Sequence, residues 1–176
     1  MPVPVPARLT AHTLLAALAV VVATLVAAAP VDARTPSKGS RGGAKAQLTS
    51  DGLAIPPADA PEEVKRVIAA ANEIARKPYG GGHGRWKDSG YDCSGSVSYA
   101  LYGGGLLRRS MPSGGFTSWG GSGAGKWITV YANSGHMFMA VAGLRFDTSG
   151  RDRAGTRWQK DPRPTQSYAI RHPEGL

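Results

Sequence analysis

Apolar residues change their spacing several times along the chain, and each spacing predicts a different element. Residues 14–29, LLAALAVVVATLVAAA, form an unbroken apolar run. In residues 60–76, APEEVKRVIAAANEIAR, the residues Val64, Val67, Ile68, Ala71 and Ile74 recur at helical spacing. They predict an amphipathic helix with Pro61 in its first turn, Glu62 and Glu63 at its positive end, and Pro78 as its stop. A second helix is predicted to start at Cys93, with Asp92 as its N-cap. Val97, Ala100 and Leu101 share a face with Cys93, and the glycines at 103–105 end this helix.

Further along, the period falls to two. Residues 126–132, KWITVYA, and 136–142, HMFMAVA, flank the turn Asn133-Ser134-Gly135 and predict a hairpin, with a third strand over 144–148. His136, Phe138, Ala140 and Ala142 share one strand face. That face is apolar past His136, so it is expected to pack on the core and on the Cys93 helix. Residues 79–92 and 110–125 are Gly-rich loops. The tail from Gly150 carries Trp158, Tyr168 and Ile170 and is expected to pack down without regular structure.

The apolar run of 14–29 is shorter than the roughly 20 residues a membrane span needs, and Pro30 closes it. Val31 and Ala33 occupy the two positions a signal peptidase reads. Residues 1–33 therefore read as a secretory signal, an uncleaved membrane anchor being the alternative. Residues 34–58 are rich in Gly, Ser, Pro and Lys and read as a flexible linker. Residues 59–176 read as one domain.

The chain of 176 residues carries a net charge of +9, and loss of residues 1–33 leaves that charge unchanged. Such a charge favours an anionic partner, and export turns the expectation from nucleic acid to an anionic cell wall. Cys93 is the only cysteine, which excludes an intramolecular disulfide and leaves a thiol with no resolving partner for redox work. A cysteine in the first turn of a helix faces unpaired amides that favour thiolate. A histidine beside it would lower its pKa further and could protonate a leaving group. His136, at the start of a strand, is the candidate; capping or filling the strand end is the plainer role for the same residue. A third group should orient the imidazole, and Asp147 and Thr148 at the end of the next strand are the candidates. For Asp147 alone, the turn chemistry of Asp-Thr-Ser-Gly is a strong competing explanation.

These residues resemble a known family. Asp-Cys-Ser-Gly at 92–95, Pro-Tyr at 78–79 before a Gly-rich loop, and Ser-Gly-His at 134–136 opening a strand look like the NlpC-type cell-wall cysteine peptidases, over about residues 60–150. The resemblance implies an α+β, papain-like fold, with the helix that carries the cysteine packed on a small antiparallel sheet that carries the histidine. It implies a peptidoglycan hydrolase acting on stem peptides, typically at the bond from γ-D-glutamate to a diamino acid, with no metal or cofactor. In it Cys93 would be the nucleophile, His136 the general base, and Tyr79 a contributor to the oxyanion site. Asp92 and Ser94 would hold the free amine of the stem peptide. The third residue of the family is usually His, Asn or Gln. Here Asp147 is favoured over Thr148, since a carboxylate stabilises imidazolium better than a hydroxyl does.

Other functions fare less well. Residues 120–126, GGSGAGK, approach a phosphate-binding loop, but Trp127 follows where Ser or Thr is required, and a strand follows where a helix is required. Four scattered histidines and one cysteine give no metal-ligand spacing. A non-catalytic wall-binding module would suit the charge and the loop residues Trp86, Trp119 and Trp127, but has no use for an activated thiol. An amidase or acyltransferase could use the same Cys–His pair. The protein is expected to act as a monomer.

Overall fold

The first predicted helix is α1, Glu62–Ile74, in the computed structural model, which describes residues 45–81 and 86–176. The expected signal at 1–33, the first part of the expected linker, and His83 lie outside the described residues. Val64, Val67, Ile68, Ala71 and Ile74 are all buried, as their spacing requires, the Val and Ile side chains each contributing roughly 1.5–3 kcal/mol of hydrophobic stabilisation. Helix α2, Cys93–Gly103, lies against α1. The glycines at its end do more than stop it. A Cβ at Gly103 would overlap the Cβ of Ala70, and one at Gly104 would overlap Cγ2 of Val67, so their lack of side chains is what lets the helices approach.

The helices pack on an antiparallel sheet of six strands: β3 (Gly121–Ser122), β4 (Ile128–Ala132), β5 (Met137–Val141), β6 (Leu144–Phe146), β7 (Trp158–Gln159) and β8 (Ala169–His172). Their spatial order is β3-β8-β4-β5-β6-β7. The expected hairpin is β4–β5, in register from Ile128 opposite Val141 to Ala132 opposite Met137. Strands β5 and β6 turn through Ala142 and Gly143, both at positive φ, as a two-residue hairpin of this hand requires. The fold is thus a mixture of helices and antiparallel sheet.

Three expectations are corrected. First, residues 45–58 are not linker. They form a two-stranded hairpin, β1 (Gln47–Leu48) and β2 (Ala54–Ile55), with Ala46 and Ala54 buried in the core. A polar anchor holds it: Asn72 on α1 accepts from the Ala54 amide at 2.9 Å and donates to the Ala54 carbonyl at 2.9 Å. Second, the core face of β5 is Met137, Met139 and Val141, not the face of His136, Phe138 and Ala140. Both faces of HMFMAVA are apolar, so alternation cannot choose between them. Phe138 instead stacks on Tyr131 at 4.7 Å between ring centroids and meets the edge of Tyr168 at 5.3 Å, away from α2. Third, the tail has regular structure: α3 (Arg151–Ala154), then β7 and β8, the latter inserted between β3 and β4.

Arg157, fully buried, ties these pieces together. Its guanidinium donates to the carbonyls of Ile74 (2.6 Å), Lys77 (2.6 Å), Pro78 (3.1 Å) and Tyr91 (2.8 Å) and to Ser96 Oγ (2.9 Å). These acceptors are four carbonyls and one hydroxyl, with no carboxylate among them. Burial, and next the charge of Arg151, lowers its pKa to about 10.

The Asn72 anchor makes a testable demand. Its Oδ1 also accepts from Trp158 Nε1 at 2.8 Å. Asn72→Ala would leave an indole N–H and both polar groups of Ala54 without this partner. Urea unfolding is expected to report a loss of about 2–3 kcal/mol, with new proteolytic cleavage within 45–58.

Candidate active site

Three turns bring the sequence-selected residues together. The first is the start of α2. Asp92 caps it as expected, its Oδ1 accepting from the Gly95 amide at 2.6 Å and from Ser94 Oγ at 3.1 Å. Cys93 is therefore fixed in the first helical turn, partly buried. The second is the Asn133-Ser134-Gly135 turn. Asn133 Oδ1 accepts from the amides of Gly135 (2.9 Å) and His136 (2.8 Å), and the Asn133 amide donates to the His136 carbonyl at 2.9 Å. This fixes the His136 backbone just ahead of β5. The third is the turn after β6. Asp147 Oδ1 accepts from the Ser149 amide at 2.8 Å, and Gln159 Nε2 donates to the carbonyls of Asp147 (3.2 Å) and Ser149 (2.9 Å).

From these frames the side chains converge. His136 Nε2 lies 3.0 Å from Asp147 Oδ1. The imidazole also interacts with Cys93. The thiol interacts with the Met137 amide as well. The Asp147 side chain is wholly buried, whereas that of His136 keeps 21% of its surface exposed. Cys93, His136 and Asp147 thus form one continuous polar line. Thr148, the alternative third residue, has no hydrogen bond to His136 among those the described residues make. Asp147 does both jobs considered from sequence: it stabilises its own turn through Ser149 and it meets the imidazole.

The electrostatics follow from this line. The hydrogen bond that Asp147 accepts, then the interaction with Cys93, raises the His136 pKa to about 9, against the opposing effect of burial. Burial pushes the Cys93 thiol up, but its hydrogen bonds to His136 and Met137 and the imidazolium charge bring it below the ordinary thiol value. Burial also raises Asp147, and its bonds to His136, Arg163 and the Ser149 amide bring it below the ordinary carboxyl range. Both shifts run in the same sense, toward thiolate on Cys93 and imidazolium on His136.

Tyr79 is 62% exposed. Its phenol pKa is raised by desolvation and by the charges of Cys93 and Asp92. Asp92 and Ser94 are bonded to each other. Sequence reasoning missed three residues here. Arg163 Nη1 donates to Asp147 Oδ2 at 2.8 Å, Ser149 Oγ lies 3.3 Å from His136 Nε2, and Arg157 holds the carbonyls of Pro78 and Tyr91, the residues before Tyr79 and Asp92. The only signal for Arg163 was its place between two prolines, in Asp-Pro-Arg-Pro. Among the described residues no cluster of three or more His, Cys, Asp or Glu is placed to hold a metal ion.

Comparison with solved structures finds similar chains. The P60 domain of an antigen from Mycobacterium avium subspecies paratuberculosis is 22% identical with a TM-score of 0.48, covering 64% of this chain and 96% of that one. The peptidoglycan hydrolase RipB of Mycobacterium tuberculosis is 27% identical with a TM-score of 0.49, covering 67% of this chain and 68% of that one. A hypothetical invasion protein of Mycobacterium tuberculosis is 22% identical with a TM-score of 0.44, covering 64% of this chain and 65% of that one. By their names, the first of these is a P60 domain and the second a peptidoglycan hydrolase. No protein-family model matches the chain, and no curated protein matches its sequence.

The coupling of thiol and imidazole sets a pH dependence. His136 is raised from 6.5 to about 9, so the stability it contributes is complete below about pH 6.5 and is lost as the pH rises through about 9. Asp147 is depressed, so its contribution is present above about pH 3.8 and is lost as the pH falls through its lowered value. Iodoacetamide is expected to alkylate Cys93 at pH values below the ordinary thiol range. His136→Ala is expected to move the onset of alkylation upward, because the Met137 amide alone then opposes burial. An onset that does not move on substitution would contradict the coupling.

Proposed function

We propose that the chain is a secreted peptidoglycan hydrolase, a cysteine endopeptidase that cuts stem peptides at the γ-D-glutamyl–diamino acid bond. The observation that carries this reading is the line from Asp147 through His136 to the helix-start thiol of Cys93, with His136 Nε2 3.0 Å from the carboxylate. A binding module gains nothing from a buried carboxylate that raises an imidazole to about 9 beside a thiol.

In this reading the Cys93 thiolate attacks the scissile carbonyl. The developing oxyanion is met by the Cys93 amide, free at the start of α2, and by the Tyr79 hydroxyl. His136 in its imidazolium form then gives its proton to the leaving amine, leaving a thioester on Cys93. The neutral imidazole takes a proton from water, which attacks the thioester and restores the thiolate–imidazolium pair. Asp147 holds the imidazole in one orientation and stays ionised throughout. Asp92 and Ser94 would hold the free amine of the stem peptide. The +9 charge would keep the enzyme on an anionic wall.

The test uses the mature protein and its Cys93→Ala variant with muropeptides, the products being weighed by mass spectrometry. Fragments ending at the γ-D-glutamyl residue, present with the parent and lost with the variant, are expected. Products cut at the sugar–peptide amide would turn the assignment to an amidase. Intact muropeptides with both proteins, together with retained wall binding, would overturn it in favour of a binding module.

A further inference from the structure

Asp147 is gripped at both oxygens. Oδ1 accepts from the Ser149 amide (2.8 Å) and meets His136 Nε2 (3.0 Å), while Oδ2 accepts from Arg163 Nη1 at 2.8 Å. The last torsion of an aspartate is broad, so a carboxylate bonded on one side only can turn about its axis. A second bond on the far oxygen removes that freedom. The other cation nearby does not supply it: Arg145 Nε lies 3.8 Å from Oδ2 and is buried with no hydrogen-bond partner.

Arg163 is itself held firmly. Its guanidinium lies over the Phe138 ring at 5.1 Å and the Tyr168 ring at 5.6 Å, and its side chain is only 25% exposed. Pro162 and Pro164 restrict the backbone on either side. An alternative partner for the imidazole is also in place, because Ser149 Oγ lies 3.3 Å from the same Nε2. Were the carboxylate to turn, the neutral hydroxyl could take the ring nitrogen in its stead.

Building on the reading of Cys93, His136 and Asp147 as the working centre, we propose that Arg163 is a positioning residue: its grip on Oδ2 keeps the Asp147 carboxylate, rather than the Ser149 hydroxyl, on the His136 imidazole. The charged and titratable groups around this pair are Cys93 and Asp92 from the start of α2, Tyr79 after Pro78, and Arg145 on β6. Ser149 follows Asp147, and Asp161, Arg163 and Tyr168 come from the segment before β8. The imidazole is set chiefly by Asp147 and Cys93, so Arg163 acts on it through Asp147.

Positioning and simple charge make opposite predictions. Removing a nearby positive charge should raise the His136 pKa, whereas releasing the carboxylate should lower it. The experiment is an NMR titration of the assigned His136 ring signals in the parent, Arg163→Met and Arg163→Lys, with folding checked by circular dichroism. The His136 pKa is expected to fall in Arg163→Met and to recover in part in Arg163→Lys, which keeps the charge without the planar fork. On the muropeptide substrate, kcat is expected to drop roughly 10- to 100-fold, with KM within about twofold of the parent and the basic limb of the pH profile displaced downward. An unchanged or raised His136 pKa in Arg163→Met, or a loss confined to KM, would overturn the proposal. Should Arg163→Met not fold, Arg163→Lys decides: a lowered pKa supports positioning, and an unchanged one overturns it. The titration needs no substrate, so it stands even if the parent cuts no muropeptide.

Discussion

The whole assembly depends on one buried cation. Arg157 has no carboxylate among its hydrogen-bond acceptors, and burial alone would make it costly. It is tolerable because its donors meet carbonyls from the end of α1, from the 77–78 segment and from Tyr91, together with Ser96 on α2. Its backbone continues the pattern, accepting from the Asp147 amide and donating to the Ala75 carbonyl, each at 2.9 Å. Pro78 precedes Tyr79, Tyr91 precedes Asp92 and Cys93, and Asp147 faces His136. A single residue is thus one bond from the segments that carry the candidate oxyanion group, nucleophile and orienting carboxylate.

From that anchor, charge alternates outward. Arg163 is positive, Asp147 negative, His136 positive and Cys93 negative, each beside its opposite. The order shows how a chain with an excess of basic residues lowers the pKa of a thiol. The cations do not crowd the thiol; one is passed to it through a carboxylate. The aromatic cluster of Tyr131, Phe138 and Tyr168 seats the outermost charge, giving the polar line a rigid apolar footing on the outer face of the sheet.

The sequence made local features legible wherever one residue type had one use. Asp92 could cap a helix, a lone thiol at a helix start had a chemical meaning, and the spacing of Val64 to Ile74 allowed only one buried face. It was silent where the information lay in pairing across distance. HMFMAVA is apolar in both phases, so its core face was decided by what covers each side. Residues 45–58 looked like linker because their anchor, Asn72, lies on α1 and is polar. Arg157 and Arg163 are two among many basic residues, and only contacts some 60 to 80 residues away in sequence for Arg157, and 16 for Arg163, set them apart.

The position of β8 has a consequence in time. Residues 169–172 separate β3 from β4 in the sheet, yet they are the last of its strands to leave the ribosome. Arg157 and Arg163 also belong to this late segment. The cysteine at 93 is therefore synthesised well before the residues that anchor its surroundings and hold its partner's carboxylate. The order of synthesis thus sets the thiol first, and the β8 strand and the arginine that holds Asp147 after it.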